Sequence, residues 1–361
     1  MAGAHSAGID ALRGLAVLLV WIHHVFAYAG LEVPLAGRLG GLLGVQLFFV
    51  ISGYLIADSA RRYPAGVYAV RRLARIYPAY WVVVAVVSVL SDRVGLGSIR
   101  AEPLAFAINA LALAHFWPPA LQGFDVTTVN WSLAVELAWY ALAPVLVALA
   151  PRESRRGWWL GVLAASVAVS TAWVLAAQSG RLDALFAPGI AAAGVAPVND
   201  FMRFAYIVNC APAHLAFFAA GALLASVPAP AARVPAWALA AAVAAFVPFA
   251  DRWNDWLGVH PSFASGIGLT ALFVAVALRE RPAAGRWIGW LAPLGRISYP
   301  VYLVHVPVLL AALAFVRERA GMSAPVAVAA AVLGTLAAAA AVHRFVEEPG
   351  IALGRKLTRM T

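Results

Sequence analysis

The sequence predicts an all-α membrane protein, a polytopic bundle of about ten transmembrane helices with one further short re-entrant or interfacial helix. The chain is 63% hydrophobic and only 12% charged, whereas ordinary soluble domains carry about twice that share of charge. Apolar runs long enough to cross a bilayer recur from one end of the sequence to the other. Together these observations exclude an ordinary soluble domain.

Ten long apolar segments are the predicted spans, at residues 10–29, 39–58, 77–91, 131–150, 157–177, 204–226, 234–250, 263–279, 295–315 and 323–343. The eleventh apolar segment, 103–117, is short and ends in Trp117-Pro118-Pro119. The longest gap, 178–203, is too short for a folded domain. We therefore expect residues 1–361 to form a single membrane domain with no appended soluble domain.

The distribution of basic residues decides whether segment 103–117 crosses. The net charge of +10 comes from 25 arginines and one lysine. If 103–117 does not cross, 18 of the 26 basic residues lie on one side, including the loops at 59–76 and 151–156 and the C-terminal tail. The positive-inside rule then favours ten spans with both termini cytoplasmic. In a membrane protein such an excess indicates orientation and anionic lipid rather than nucleic acid.

Arg13 and His24 lie within the first predicted span, eleven positions apart. Eleven positions are three helical turns plus about 20°, so both side chains leave one face, separated by roughly 16 Å along the axis. His23 lies on a different face. Ionisable residues within a membrane are costly and commonly functional. The alternative is an arginine that reaches the headgroups and a histidine that is satisfied inside the bundle.

The second span, GVQLFFVISGYLI, carries Gln46, whose side chain needs a polar partner in lipid. Taken alone, this segment is typical of ordinary packing between helices. The next basic segment, RRLARIYPAYW, places Arg71, Arg72 and Arg75 at the entry of the third span. These arginines could be simple topology anchors. Alternatively, they form a cradle for the phosphates of a cofactor, because guanidinium groups bind phosphate in two-pronged fashion.

Two further spans carry polar stripes. In NWSLAVELAWY, Ser132, Glu136 and Tyr140 are spaced at i, i+4 and i+8, and the alternative role for Glu136 is a structural pair with an arginine. In LGRISYPVYLVH, Ser298, Tyr302 and His305 share one face, and the alternative is a buried imidazole that only bonds Tyr302. Near the end of the chain, the spacing of Arg344 and Glu347 predicts an ion pair.

Taken in order, these motifs, together with RFVEEP near the C-terminus, resemble those of the acyltransferase 3 family of integral-membrane acyltransferases, which O-acetylate bacterial surface polysaccharides. The resemblance implies transfer of an acyl group, usually acetyl, from cytoplasmic acyl-CoA to a hydroxyl of a glycan or other envelope molecule. It places the family's Arg-x10-His pair on Arg13 and His24 and its basic element on Arg72 and Arg75. Gln46 departs from the family, since many members carry an acidic residue there.

The residues suit this chemistry independently of the resemblance. Acyl transfer to a hydroxyl needs a group that exchanges a proton near neutral pH, and imidazole does so. We expect His24 to be the general base or a transient acyl carrier, Glu136 to orient or polarise it, and Arg13, Arg72 and Arg75 to hold the CoA phosphates. Acetyl-CoA or another acyl-CoA would be the co-substrate, with no metal, and the partners would be a glycan or lipid-linked acceptor and the bilayer.

Two other classes of protein remain open at this point. A transporter of a lipid-linked or small polar substrate would also have about ten spans, but it should show internal repeats and broken helices in both halves, which the sequence lacks. An intramembrane hydrolase would need a Ser/His/Asp constellation or paired membrane aspartates, yet the aspartates fall at the ends of spans. The sequence therefore favours an acyltransferase.

Overall fold

The computed structural model describes residues 7–29, 36–91, 96–117, 130–151, 153–192, 209–226, 234–246, 262–278 and 286–359, with residues 198, 203 and 207. Every regular element within these residues is helical. The helices are α1 (Ala7–Ala29), α2 (Ala36–Arg62), α3 (Ala65–Ser91), α4 (Leu96–Ala101), α5 (Pro103–Ala110), α6 (Asn130–Leu149), α7 (Arg155–Gln178), α8 (Asp183–Ala192), α9 (Ala211–Ser226), α10 (Ala236–Phe246), α11 (Ser262–Phe273), α12 (Arg286–Arg296), α13 (Ser298–Ala312), α14 (Ala324–Val342) and α15 (Glu348–Leu357).

The ten predicted spans each coincide with an apolar helix, but not all of these helices have the length of a span. In the described part of the chain, seven helices are long and apolar enough to cross a membrane: α1, α2, α3, α6, α7, α13 and the run of α14 into α15. The other three, α9, α10 and α11, are shorter apolar helices that border residues outside the described set. The described residues thus contain seven candidate spans and do not confirm the predicted count of about ten.

Segment 103–117 forms a short helix rather than a span. Helix α5 has eight residues, about 12 Å of rise, which is less than half of the bilayer's apolar core. The chain leaves it through Ala112, whose φ of 57° lies in the left-handed region, and a 3-10 turn at Ala114–Phe116 follows. Pro118 and Pro119 lie outside the described residues.

Side chains of α3 satisfy the carbonyl end of α5. The last carbonyls of a helix have no partner within it, and here three successive carbonyls each accept a side-chain donor. The bonds run from Tyr80 to Asn109 (2.6 Å), from Trp81 to Ala110 (2.7 Å) and from Tyr77 to Leu111 (2.9 Å). The aromatic residues that follow the basic segment of α3 therefore hold α5 in place.

The chain divides into two compact units, each built from three separate stretches of sequence: Met1–Ala16, Leu43–Tyr63 and Ser132–Gly295 in the first unit, and Val17–Leu42, Pro64–Trp131 and Arg296–Thr361 in the second. In the first unit α2 packs closely on α9, since a β-carbon at Gly53 would collide with the carbonyl oxygen of Phe218. The rings of Phe49 and Trp139 both stack on Phe218. This aromatic stack forms part of the core of the first unit.

In the second unit α13 packs along α14, and α15 lies against α3. A β-carbon at Gly350 would approach Ala74 and Pro78 to 2.9 Å, and one at Gly354 would meet the Ala74 side chain at 2.6 Å. The basic part of α3 is therefore fixed by the C-terminal helix.

The prediction that Arg344 pairs with Glu347 is wrong. Glu347 turns inward, is 2% exposed, and accepts a hydrogen bond from Nδ1 of His343 at 2.7 Å. Arg344 points outward and pairs with Glu348 at 3.0 Å. Both observed pairs are four residues apart, a spacing that also brings side chains together on one face of a helix.

The segment between α7 and α9 holds an ion pair outside the predicted spans. Arg203 binds the Asp183 carboxylate through two nitrogens, at 3.1 and 2.7 Å. The hydrogen bond from the Arg203 guanidinium lowers the pKa of the Asp183 carboxyl below its usual value. Helix α8 begins at this aspartate, so the pair ties the start of α8 to residue 203.

Candidate active site

Two histidines from distant parts of the sequence meet in the second unit. His24 lies in the C-terminal half of α1 and His305 in the middle of α13, 281 residues away. Nε2 of His305 is 3.2 Å from Nδ1 of His24, and the two ring centroids are 4.9 Å apart. The structure thus brings two predicted site residues into direct contact.

The two rings differ in exposure. His305 is fully buried, with its Nδ1 2.8 Å from the Tyr302 carbonyl oxygen. His24 is half-buried, its Nδ1 lies 2.9 Å from the Val20 carbonyl oxygen, and its ring stacks with that of Tyr28 at a centroid distance of 6.2 Å. His24 is therefore the member of the pair that a substrate can reach.

His23, Ser298 and Arg13 each have a different environment in the structure. His23 faces Gly41, where a β-carbon would approach its ring to 2.5 Å. Ser298 begins α13 and is fully buried. Arg13 is 8% exposed, and the next residue of α1, Gly14, lies against the Leu291 carbonyl so closely that a β-carbon would collide there.

Glu136 belongs to a separate cluster in the first unit. Its Oε1 accepts hydrogen bonds from the Tyr140 hydroxyl at 3.1 Å and from the Ser52 hydroxyl of α2 at 2.9 Å. The bond to Tyr140 follows the i, i+4 spacing predicted for α6. Ser132, one turn earlier, is buried at 7% exposure.

Gln46 has the polar partner that its position in an apolar helix requires. Its Oε1 accepts a hydrogen bond of 2.6 Å from Ser265 of α11, also in the first unit. Each of the two side chains is 1% exposed. The pair is closed to solvent and lipid, which suits a contact between helices.

The three basic residues predicted for the cofactor lie together on α3 in the second unit, and all are half-buried. Nε of Arg71 donates to Thr358, just beyond α15, at 3.0 Å. Arg72 lies over the ring of Tyr68, 5.8 Å from its centroid. Arg75 has no hydrogen-bond or ion-pair partner among the described residues. This leaves Arg75 available for an anionic ligand.

Sequence reasoning did not predict two of these contacts. The contact of Ser52 with Glu136 had a weak signal, because a serine in an apolar span needs an acceptor and thereby indicates a polar partner. The contact of His24 with His305 had no local signal, since it joins helices at opposite ends of the chain. Among the described residues, no group of three His, Cys, Asp or Glu side chains could hold a metal ion.

Comparison with known proteins gives this geometry a family context. A family model described as an acyltransferase domain matches residues 6–344. A provisionally named membrane-bound transacylase of Komagataeibacter xylinus is 30% identical over 88% of this chain and 77% of its own length. The acyltransferase MdmB of Streptomyces mycarofaciens is 25% identical over 88% of this chain and 82% of its own length.

A third relative is a longer protein. The provisionally named peptidoglycan O-acetyltransferase YrhL of Bacillus subtilis is 26% identical over 84% of this chain, and the match spans 48% of that relative. No solved structure matches the chain. The family match covers nearly the whole sequence and the apolar helices suit a bilayer, so this chain belongs to the acyltransferase 3 family and is an integral-membrane acyltransferase.

Proposed function

We propose that this protein transfers an acyl group, most simply acetyl, from acyl-CoA on the cytoplasmic side to a hydroxyl of a glycan or lipid-linked envelope molecule. His24 is the general base, or carries the acyl group transiently. The observation that carries the proposal is the half-buried His24 imidazole within a membrane-spanning helix. A buried ionisable group of this kind is costly to keep unless it functions.

The geometry of His24 suits base catalysis. Its Nδ1 is occupied by the Val20 carbonyl and by His305. Its Nε2 has no hydrogen-bond partner among the described residues. A base must present a lone pair to the proton that it removes, and Nε2 is the atom of His24 that can do so.

Arg71, Arg72 and Arg75 are proposed to bind the phosphates of the acyl donor. They belong to the same unit as His24, and the contact of Arg71 with Thr358 orders the segment that carries them. Each guanidinium can make charge-assisted hydrogen bonds to phosphate oxygens. Holding the donor through its phosphates leaves the thioester free to reach the imidazole.

We also propose that the reaction depends on the side chains of Glu136 and Arg13. For Glu136 the support is a carboxylate held in fixed orientation by Ser52 and Tyr140 within an apolar helix. For Arg13 the support is the family's spacing to His24. An envelope glycan as acceptor is supported by the name of the Bacillus subtilis relative, which is that of a peptidoglycan O-acetyltransferase.

For topology we propose ten spans in the bacterial inner membrane with both termini cytoplasmic. The eight-residue length of α5 supports this, because a helix that cannot cross leaves the loops at 59–76 and 151–156 on one side. Cysteine-accessibility labelling after replacement of Cys210 tests it. Labelling of the 151–156 loop from outside intact cells would exclude ten spans.

The activity itself is tested with purified protein and acetyl-CoA. An acyltransferase without acceptor should hydrolyse acetyl-CoA slowly, releasing free thiol, and should transfer labelled acetyl to envelope glycans when these are added. A matched preparation of the His24→Ala variant should release no thiol above the background of buffer. Glycan binding or movement across vesicles without thiol release would instead favour a transporter.

A further inference from the structure

The hydrogen bonds around His305 determine which of its nitrogens carries a proton. Nδ1 lies 2.8 Å from the carbonyl oxygen of Tyr302 and 3.2 Å from that of Val301. Carbonyl oxygens only accept, so Nδ1 must carry the hydrogen. In a neutral ring, Nε2 of His305 is then an acceptor.

The same reasoning fixes the tautomer of His24. Its Nδ1 lies 2.9 Å from the Val20 carbonyl oxygen, so this nitrogen also carries the hydrogen. The same hydrogen is shared with His305, so the 3.2 Å contact is the longer branch of a bifurcated bond in which Nδ1–H of His24 donates and Nε2 of His305 accepts. The result is a directed chain, from His24 to His305 to the backbone of α13, that leaves the lone pair of His24 on Nε2.

We infer that His305 is a positioning residue of acyl transfer, which together with the Val20 carbonyl accepts from the Nδ1–H of His24 and so orients the ring with its Nε2 as the base. This inference rests on the proposed function of His24. A carboxylate usually orients a catalytic histidine in this way. Here a neutral imidazole occupies that position, and two backbone carbonyls fix its own orientation.

Acyl transfer from the thioester to the acceptor hydroxyl needs no reactant besides these two substrates and His24. Nε2 of His24 takes the proton of the acceptor hydroxyl, whose oxygen forms the ester bond to the acyl carbon, and the carbon–sulfur bond of the thioester breaks with its electron pair going to sulfur. His24 is then an imidazolium, and its Nδ1–H bond to His305 becomes charge-assisted and stronger. Transfer of the Nε2 proton to the CoA thiolate restores the neutral pair.

Substitutions at His305 can distinguish a positioning residue from a packing residue. His305→Gln keeps a side-chain oxygen that can accept from His24, whereas His305→Leu fills similar space without an acceptor. Leucine should lower kcat about tenfold to hundredfold, the worth of one hydrogen bond to a charged group. The KM for acyl-CoA should stay within about twofold, and glutamine should recover most of the lost kcat.

Steady-state thiol release and acetyl transfer, measured on monodisperse protein of each variant, test this inference. A leucine variant with wild-type kcat overturns it, and so does a glutamine variant no more active than leucine, since that result indicates packing. His305→Phe serves as a second apolar variant if leucine fails to fold.

A measurement on the unmutated protein provides an independent test. Nitrogen NMR of histidine-labelled protein, with His24 assigned by its loss in His24→Ala, should show a protonated Nδ1 and a bare Nε2. The opposite tautomer overturns the inference. Retained activity in His24→Ala would sink the proposed function itself, whereas an inactive His24→Ala beside a fully active His305→Leu would sink only the role of His305.

Discussion

The pair of His24 and His305 and the pair of Gln46 and Ser265 are alike in chemistry but differ in access. Each joins two helices more than 200 residues apart through a hydrogen bond between side chains. Both members of the glutamine pair are 1% exposed, while His24 remains half-buried and keeps an open ring nitrogen. A polar pair within apolar helices therefore holds helices together where it is closed, and can do chemistry where one atom remains reachable.

The largest effect should follow from removal of the reachable imidazole. His24→Ala should lower turnover by about 10² to 10⁴, and more if His24 carries the acyl group covalently. Thermal stability in detergent should remain near that of the wild type, because His24 is only half-buried. His23→Ala is the matched control and should be milder. Turnover above roughly a tenth of the wild-type value would make His24 a packing residue.

Removal of the arginines proposed to bind the acyl donor should weaken donor binding more than it slows turnover. Arg72→Ala combined with Arg75→Ala should raise the KM for acyl-CoA by about tenfold or more per lost contact, with less change in kcat. Kinetics over a range of acyl-CoA concentrations measure this, with the exposed Arg156→Ala as the control. An unchanged KM in a folded double variant would leave these arginines as topology anchors.

Glu136 tests whether a well-bonded polar group can also serve the reaction. Glu136→Gln keeps an oxygen that can accept from Ser52 and Tyr140 but removes the charge. Turnover should fall about tenfold, at the level of one hydrogen bond to a charged group, whereas stability should change little. The two readouts are kcat and the melting temperature. A variant with normal kcat would indicate that Glu136, like Gln46, only holds helices together.

The closed pair should affect stability alone. Ser265→Ala removes the 2.6 Å donor to Gln46, and such bonds in membrane proteins are worth about 0.6 kcal/mol on average. Unfolding in mixed detergent should shift by about that amount, with kcat and KM unchanged. A loss of activity without a loss of stability would show that the pair is not merely structural.

The smallest effect should come from the ion pair of Arg203 and Asp183, which lies outside the predicted spans. Because Arg203 lowers the pKa of Asp183, the carboxylate stabilises the fold above its ordinary pKa of 3.8 and loses that contribution as the pH falls. Asp183→Asn should therefore lower the melting temperature slightly at pH 7. The difference from wild type should shrink at pH values below 3.8 and in high salt. A difference that persists under acid would point to packing.

Much of the fold follows from hydropathy, because a span must be apolar along its length. The i, i+4 bond of Tyr140 to Glu136 was also predictable, since both residues lie on one helix whose periodicity is known. Arg344 shows the limit of this reasoning. It is spaced to reach either Glu347 or Glu348, and the sequence pattern does not indicate that Glu348 is its partner.

Contacts between helices could not be predicted in this way. Ser52 and Glu136 are 84 residues apart, and His24 and His305 are 281 apart. A single sequence fixes which face of each helix is polar, but not which faces meet. The family resemblance indicated that the motifs act together without indicating that His305 would contact His24.

The capping of α5 by α3 has a consequence for biosynthesis. The bonds from Tyr80, Trp81 and Tyr77 reach only 29 to 34 residues forward along the chain. The donors leave the ribosome before the carbonyls that they satisfy, and no later helix is required. The short helix can therefore be held from the moment it emerges, whereas the pairing of His24 with His305 must wait until almost the entire polypeptide has been made.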